Sequence, residues 1–165
     1  SLLKNQGLDF ELSLFGSEKA RSTLPWAKVY GFIRGARLRD LYQNADVFLD
    51  TSSYQAFGLP NLEAMACQTA VIGPEIGGFA DYAIHNKNAL LVNTESAGAI
   101  AGALESLIKD LPRALALGDE ALNTAKALSF NAFLDKSIEN FETLMDLSTH
   151  NKPYPWAFRA STRTP

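Results

Sequence analysis

The sequence predicts an α/β domain: a parallel sheet with helices on both faces, followed by a helical final third. Three observations carry this. Over the first two-thirds, short apolar runs alternate with amphipathic ones, the pattern of successive strand–helix units. Those runs are rich in Val, Ile, Leu and Phe without strict alternation, as strands covered on both faces are. Beyond Val92 only helical spacing remains.

Each element has its own justification. Ser1-Leu2-Leu3-Lys4 reads as the interior of a helix already under way. Phe10 to Phe15 and Lys28 to Phe32 are the first two strands, Leu38-Arg39-Asp40-Leu41-Tyr42 is helical, and Val47 to Asp50 is a buried strand. A polar turn leads to a helix over Asn61 to Cys67 that opens near Pro60. Proline at the first helical position presets φ and gives up an N–H that has no intrahelical partner. Ala70 to Gly73 is the next strand, Gly77-Gly78 opens a further helix, and Ala89 to Val92 is a short edge strand. Ile100, Leu104, Leu107 and Ile108 share one helical face. Asp110-Leu111-Pro112 reads as a cap, with Leu111, Leu115 and Leu122 as the apolar stripe of the helix it starts. Ser129 caps a final helix with the stripe Phe130, Phe133, Leu134, Ile138, Phe141 and Leu144. These stripes are core or domain-packing faces. The domain is placed at residues 1–148, and 149–165, with Tyr154, Trp156 and Phe158 among prolines, is a tail.

Composition excludes several function classes. A chain of 165 residues that is 47% hydrophobic can bury one real core. Its net charge of −3 argues against binding to nucleic acid or to an anionic membrane surface. Cys67 is the lone cysteine, so an internal disulfide and a Cys-rich zinc site are both excluded, and a reducing cytosol suits the chain. No apolar run approaches the ~20 residues of a spanning helix, and the N-terminus lacks a signal-peptide pattern. The expected location is cytoplasmic, with peripheral attachment at the inner face of a membrane left open. There is no nucleophile elbow, Walker A loop or HExxH helix, and Gly16-Ser17-Glu18 lacks the glycine fingerprint of a dinucleotide fold. His85 and His150 have no carboxylate or nucleophile at motif spacing, and the acidic residues show no metal-ligand pattern.

The segment from Ser52 to Ala66 is the most informative. It sits beyond the carboxyl end of a buried strand, where first-turn N–H groups and the positive end of a helix dipole suit a phosphate or a sugar hydroxyl. Glu63, one turn inside, can accept two hydrogen bonds from vicinal hydroxyls; the plain alternative is a solvated helix Glu. The run resembles the nucleotide-sugar site of GT-B glycosyltransferases, especially the large retaining family 4. That site has two Glu seven residues apart around Phe-Gly-Leu-Pro, followed by Glu-Ala-Met-Ala. Phe57-Gly58-Leu59-Pro60 and Leu62-Glu63-Ala64-Met65-Ala66 match residue by residue, and Gln55 stands in place of the first Glu. Leu14-Phe15-Gly16, Val29-Tyr30-Gly31-Phe32, Leu41 to Leu49, Ala70-Val71-Ile72, Gly77-Gly78 and Asn86 to Val92 follow the family order. The resemblance thus runs over roughly residues 8 to 145.

The resemblance implies the Rossmann-like, donor-binding C-terminal half of a GT-B enzyme. Such an enzyme moves a hexosyl group from a nucleotide-diphosphate sugar to a hydroxyl acceptor, a growing glycan or lipid-linked, with retention and without cofactor or metal. It also implies that the acceptor-binding N-terminal domain, and the start of this domain with its Arg/Lys diphosphate loop, lie outside this chain. The chain alone is expected to be inactive. By the same resemblance Glu63 holds the ribose hydroxyls and Gln55 touches the donor sugar. Gln is neutral and lacks the electrostatic contribution of Glu. A different donor, a weakened enzyme and a turn residue without a role all remain open readings of Gln55. As an amide it could act as both donor and acceptor. Phe57, Gly58 and Leu59 would act through backbone N–H groups, with Gly58 permitting close approach or simply a tight turn. Gly31, Phe32 and Arg34 would border the nucleobase. Arg34, Arg37 and Arg39 form either a solvated helix start or a diphosphate-neutralising cluster. Gly77 and Gly78 would form a nest of N–H groups. Asp81 replaces a Glu at a structural hydrogen-bonding position, and Gln68, Ala70 and Ala89 replace Gly, Pro and Gly in loops. Two competing readings stand: a GT-B sugar-nucleotide epimerase, whose carboxylates and His are not found, and a degenerate binding or assembly module, which Gln55 favours.

Overall fold

A computed structural model describes residues 2–16, 24–129 and 138. The chain divides into two units, Ser1–Ala127 and Leu128–Pro165. The helix expected beyond Ser129, the boundary expected near residue 148, the tail and His150 lie outside the described residues, Ile138 apart. The first unit runs α1 (Leu2–Asn5), β1 (Ser13–Leu14), β2 (Lys28–Val29), α2 (Ala36–Gln43), β3 (Val47–Leu49), α3 (Leu59–Ala66), β4 (Ala70–Pro74), β5 (Leu90–Val92), α4 (Ala97–Ile108) and α5 (Leu111–Ala127).

Every strand pairing is parallel, but the described strands form two sheets where the sequence suggests one. β1 pairs with β2, Ser13 opposite Lys28. β4 lies between β3 and β5, with Val47 opposite Ala70 and Ile72 opposite Leu90. Rings span the gap between the sheets in place of a ladder: Phe15 packs edge-on against Tyr42 at 5.7 Å and lies 6.1 Å from Phe48. The second strand ends at Val29 because Gly31 takes φ 65°, which no extended strand continues through. Its carbonyl accepts from Gly16 N at 2.9 Å instead.

β4 is buried along its whole length, and its alternating side chains feed two cores. Val71 joins Tyr42, Ala64, Met65, Phe79, Ala121 and Ala125, while Ala70 and Ile72 join Leu90, Leu107, Ala114 and Leu117. Helices therefore cover both faces, as parallel strands require.

Three local expectations are corrected. Pro60 is the second helical residue, since α3 starts at Leu59 behind Gly58. No helix opens at Gly77-Gly78. The chain there makes successive tight turns, with Ala80 N bonded to Gly77 O and Tyr82 N to Phe79 O. In α5 the stripe Leu111, Leu115, Leu122 is not the core face, for Leu111 and Leu115 are 50% and 67% exposed. The buried face is Ala114, Leu117, Gly118, Ala121 and Ala125, all small but Leu117. Small residues win because the helix lies almost in contact with backbone: a Cβ on Gly118 would sit 2.3 Å from the Gln68 carbonyl. The cap itself is as expected, Asp110 Oδ1 accepting from Arg113 N at 3.1 Å.

Candidate functional site at the carboxyl edge of the sheet

The loops leaving β3, β4 and β5 meet where ligands of open α/β sheets bind, beyond the carboxyl ends of the strands. Three bonds tie them together. Thr94 Oγ1 donates to Ser52 O at 2.8 Å, Gly78 N to Gln55 O at 2.8 Å, and the Tyr82 hydroxyl to Gly58 O at 2.9 Å. The loops leaving β3 and β4 touch almost without side chains between them. A Cβ on Gly78 would lie 2.0 Å from Ala56 O, and one on Gly77 2.7 Å from Gln55 O. The two glycines thus allow contact between loops, and the Gly78 N–H is spent inside the protein rather than offered as part of a nest.

At the foot of the β3 loop lies Asp50, 6% exposed. Its Oδ1 accepts from Ser52 N at 2.9 Å, and its Oδ2 from Gln55 Nε2 at 2.6 Å and Asn61 Nδ2 at 2.8 Å. Gln55 Nε2 also reaches Ser52 Oγ at 3.0 Å. The donor half of the Gln55 amide is therefore committed, which narrows the side chain from donor-and-acceptor to an acceptor, Oε1. Asn61 is fully buried, and its Oδ1 is the one buried side-chain polar atom without a partner among the described residues.

Gly58 precedes α3 in the left-handed conformation, φ 80°. A Cβ there would meet Asn61 Nδ2 at 3.0 Å and the Tyr82 hydroxyl at 3.2 Å, so both conformation and packing call for glycine. The N–H groups of Phe57, Gly58 and Leu59 donate to no acceptor among the described residues. Around them the apolar side chains of Tyr54, Phe57, Leu59 and Ile76 are exposed.

Glu63 is exposed on α3 and faces α2, where the buried Tyr42 hydroxyl donates to its Oε2 at 3.4 Å. Burial first, and then the Glu63 charge, push the Tyr42 hydroxyl far above its ordinary value, so it stays a neutral donor. The end of β2 forms a separate cluster. Phe32 is 61% exposed, and the Arg34 guanidinium sits 5.8 Å over its ring. Arg39 is paired with Asp40 at 3.2 Å, both side chains exposed. No hydrogen bond joins this cluster to the β3 loop among the described residues. Asp81 is exposed and its carboxylate makes no hydrogen bond among the described residues, so it does not act as the expected structural acceptor. His85 is exposed, with Nδ1 accepting from Leu91 N at 3.0 Å, a structural contact. A cavity of about 290 Å³ opens elsewhere, at the amino ends of β3 and β4 beside Asp46, Cys67, Thr69 and Leu115.

Sequence reasoning passed over Asp50, Asn61 and Tyr82. Asp50-Thr51-Ser52 carries the signal of an Asx turn, a side-chain acceptor for the N–H two residues on. Tyr82 carries none, because its bond to Gly58 spans 24 residues.

Parallel strands, cores on both faces and a glycine-opened helix at the carboxyl edge make this a Rossmann-like α/β domain of the GT-B kind. The family model described as glycosyl transferases group 1 matches residues 13–124, more than half of the chain, and the chain belongs to that family. It is 36% identical over 92 residues, 56% of its length, to a D-inositol 3-phosphate glycosyltransferase of Corynebacterium aurimucosum, of which that match covers 22%. It is 38% identical over 88 residues, half of its length, to an alpha-maltose-1-phosphate synthase of Mycolicibacterium smegmatis, covering 23% of that protein. The chain thus spans about a quarter or less of these curated relatives. Among solved structures, sucrose-phosphate synthase of Thermosynechococcus elongatus superposes with a TM-score of 0.72 at 28% identity, over 83% of this chain and 39% of that one. Anabaena HepE, solved with UDP and glucose, superposes with a TM-score of 0.63 at 22% identity, over 72% of this chain and 32% of that one. The HepE likeness shows the fold alone.

Proposed function

We propose that this chain is the donor-binding part of a retaining glycosyltransferase that moves a hexosyl group from a nucleotide-diphosphate sugar to a hydroxyl acceptor, such as a growing glycan. One observation carries the reading: the three N–H groups of Phe57, Gly58 and Leu59 have no protein acceptor among the described residues and lie at the positive end of α3, with exposed Glu63 one turn further on. In this reading the N–H groups bond the distal phosphate, and they strengthen as charge builds on the leaving diphosphate. Glu63 accepts from the ribose hydroxyls, with Tyr42 fixing its other oxygen. Gln55 Oε1 accepts from a hexose hydroxyl, and Phe32 and Arg34 flank the base. The reading requires no metal, since backbone donors at the positive end of α3 supply the neutralisation. It also supplies a cover for exposed Tyr54, Leu59 and Ile76, namely the acceptor-binding domain of the same enzyme. No helix among the described residues is long and apolar enough to cross a membrane. The cytoplasm, where nucleotide sugars are made, is the compartment this reading assigns.

The test is calorimetry with UDP, GDP, dTDP and ADP and the glucose conjugate of each. At least one should bind with a Kd of about 0.1–10 mM. Silence across the panel from a folded chain would refute the reading.

A further inference from the structure

Gln55 removes a charge from the place where the family motif has Glu, yet a carboxylate lies directly behind it. Asp50 is buried, and every group it bonds is a donor: Ser52 N, Gln55 Nε2 and Asn61 Nδ2. That is the hydrogen-bonding set of a deprotonated carboxylate. No Lys or Arg pairs with it among the described residues. Its charge is held by neutral dipoles, including Asn61 in the first turn of α3, and so stays uncancelled at the carboxyl edge.

The same contact decides how Gln55 faces outward. Reversing the amide would set its carbonyl oxygen against Asp50 Oδ2, acceptor against acceptor, so Nε2 stays inward and Oε1 is the open arm. Oε1 has no partner among the described residues. An amide whose N–H is drawn toward an anion also carries more negative charge on its oxygen, since hydrogen bonds in a chain polarise one another. The pair presents what a Glu would present, an acceptor-only oxygen backed by one negative charge, with the charge set one residue deeper.

We propose that Asp50 is a positioning residue for the donor sugar: it locks Gln55 as an acceptor and supplies, from behind, the charge that Gln55 lacks. This rests on the proposed function, and it means that Gln55 belongs to a matched pair rather than to a weakened site.

The test exchanges the pair in this chain: Asp50→Asn, Gln55→Glu and the double variant Asp50→Asn/Gln55→Glu. For each, the readouts are thermal midpoint and the ratio of Kd for a nucleoside diphosphate to Kd for its glucose conjugate, using the pair from the panel above that the parent binds. Gln55→Glu sets two carboxylates where 2.6 Å now separates N from O, and should lower the midpoint by roughly 3–8 °C. Asp50→Asn removes the charge behind Gln55 and leaves an amide N–H that must oppose either Ser52 N or Gln55 Nε2, so Gln55 loses both the charge and its firm lock. The Kd ratio should fall about three- to tenfold while diphosphate affinity stays within about twofold. The double variant restores one charge and one acceptor, with the new amide at position 50 donating to the new carboxylate at position 55, and should recover both the midpoint and the ratio. A purely structural Asp50 would move the midpoint and leave the ratio alone. Recovery of both readouts supports the inference. An unchanged ratio in Asp50→Asn, or a double variant no better than Gln55→Glu, overturns it. Should Asp50→Asn not fold, the comparison of Gln55→Glu with the double variant decides alone. A parent that binds nothing in the panel refutes the proposed function instead, and this inference with it.

Discussion

Gly78→Ala should damage this protein far more than one methyl group suggests. The residue has no positive φ, so the backbone tolerates alanine and the effect is purely steric. The new Cβ would lie 2.0 Å from Ala56 O, 2.6 Å from Ala56 C and 2.7 Å from Phe57 Cα, all of them backbone. Ordinary contact begins near 3.4 Å, so the two loops must part by about 1.4 Å, the difference between 3.4 and 2.0. That overpacking costs about 1–3 kcal/mol. Parting also stretches the 2.8 Å bond from Gly78 N to Gln55 O, worth about 1 kcal/mol more. The expected loss is about 2–4 kcal/mol, a large share of the roughly 5–15 kcal/mol available to a domain. Urea unfolding should show it as a lower midpoint at unchanged slope. Gly102→Ala is the control: nothing lies within 4 Å of its new Cβ inside α4, and alanine should gain up to about 1 kcal/mol there. If Gly78→Ala stayed within about 0.5 kcal/mol of the parent, the account of how these loops meet would be wrong.

Glu63→Gln should weaken the diphosphate and its sugar conjugate alike, about tenfold to a hundredfold, because losing a charged acceptor costs roughly 1.5–3 kcal/mol; equal affinities measured by calorimetry would return Glu63 to the surface. Gly118→Ala in α5 should destabilise by about 1–3 kcal/mol despite the helix propensity of alanine, since its Cβ meets the Gln68 carbonyl at 2.3 Å. A stabilised variant in urea would contradict the packing. Burial raises both Tyr42 and Tyr82 far above the ordinary value of 10.0. A raised folded value means that the stability these groups contribute is complete below pH 10 and is lost as pH climbs beyond it, when only the unfolded hydroxyls ionise. Thermal midpoints from about pH 8 to 11 should therefore fall above pH 10 in the parent, and less steeply in Tyr42→Phe.

Much of the fold was legible because it depends on local pattern. The apolar run Ala70-Val71-Ile72 with no polar face demands burial on both sides, and β4 feeds both cores. Asp110-Leu111-Pro112 caps α5 through a bond only three residues long. The α5 stripe misled for a physical reason. Leu111 and Leu115 are the larger apolar residues, yet distance to the neighbouring backbone selects Ala114, Gly118 and Ala121, and a sequence carries no distances.

For the candidate site the division is similar. The motif from Phe57 to Glu63 is contiguous, so sequence alone places a helix start near Pro60, one residue late, and a carboxylate one turn inside. What Gln55 does with its two polar atoms could not be read there, because the answer lies in Asp50, brought within 2.6 Å only when the loop folds back on the end of β3. The glycine pair reads as a nest because a helix is expected to open there after a strand. Tertiary structure gave the Gly78 N–H to Gln55 O and filled the missing side chains' space with Ala56. Sequence determined which backbone positions had to be free of a Cβ; packing decided what occupies the space, since a hydrogen bond between distant loops depends on coordinates and not on neighbours in the chain.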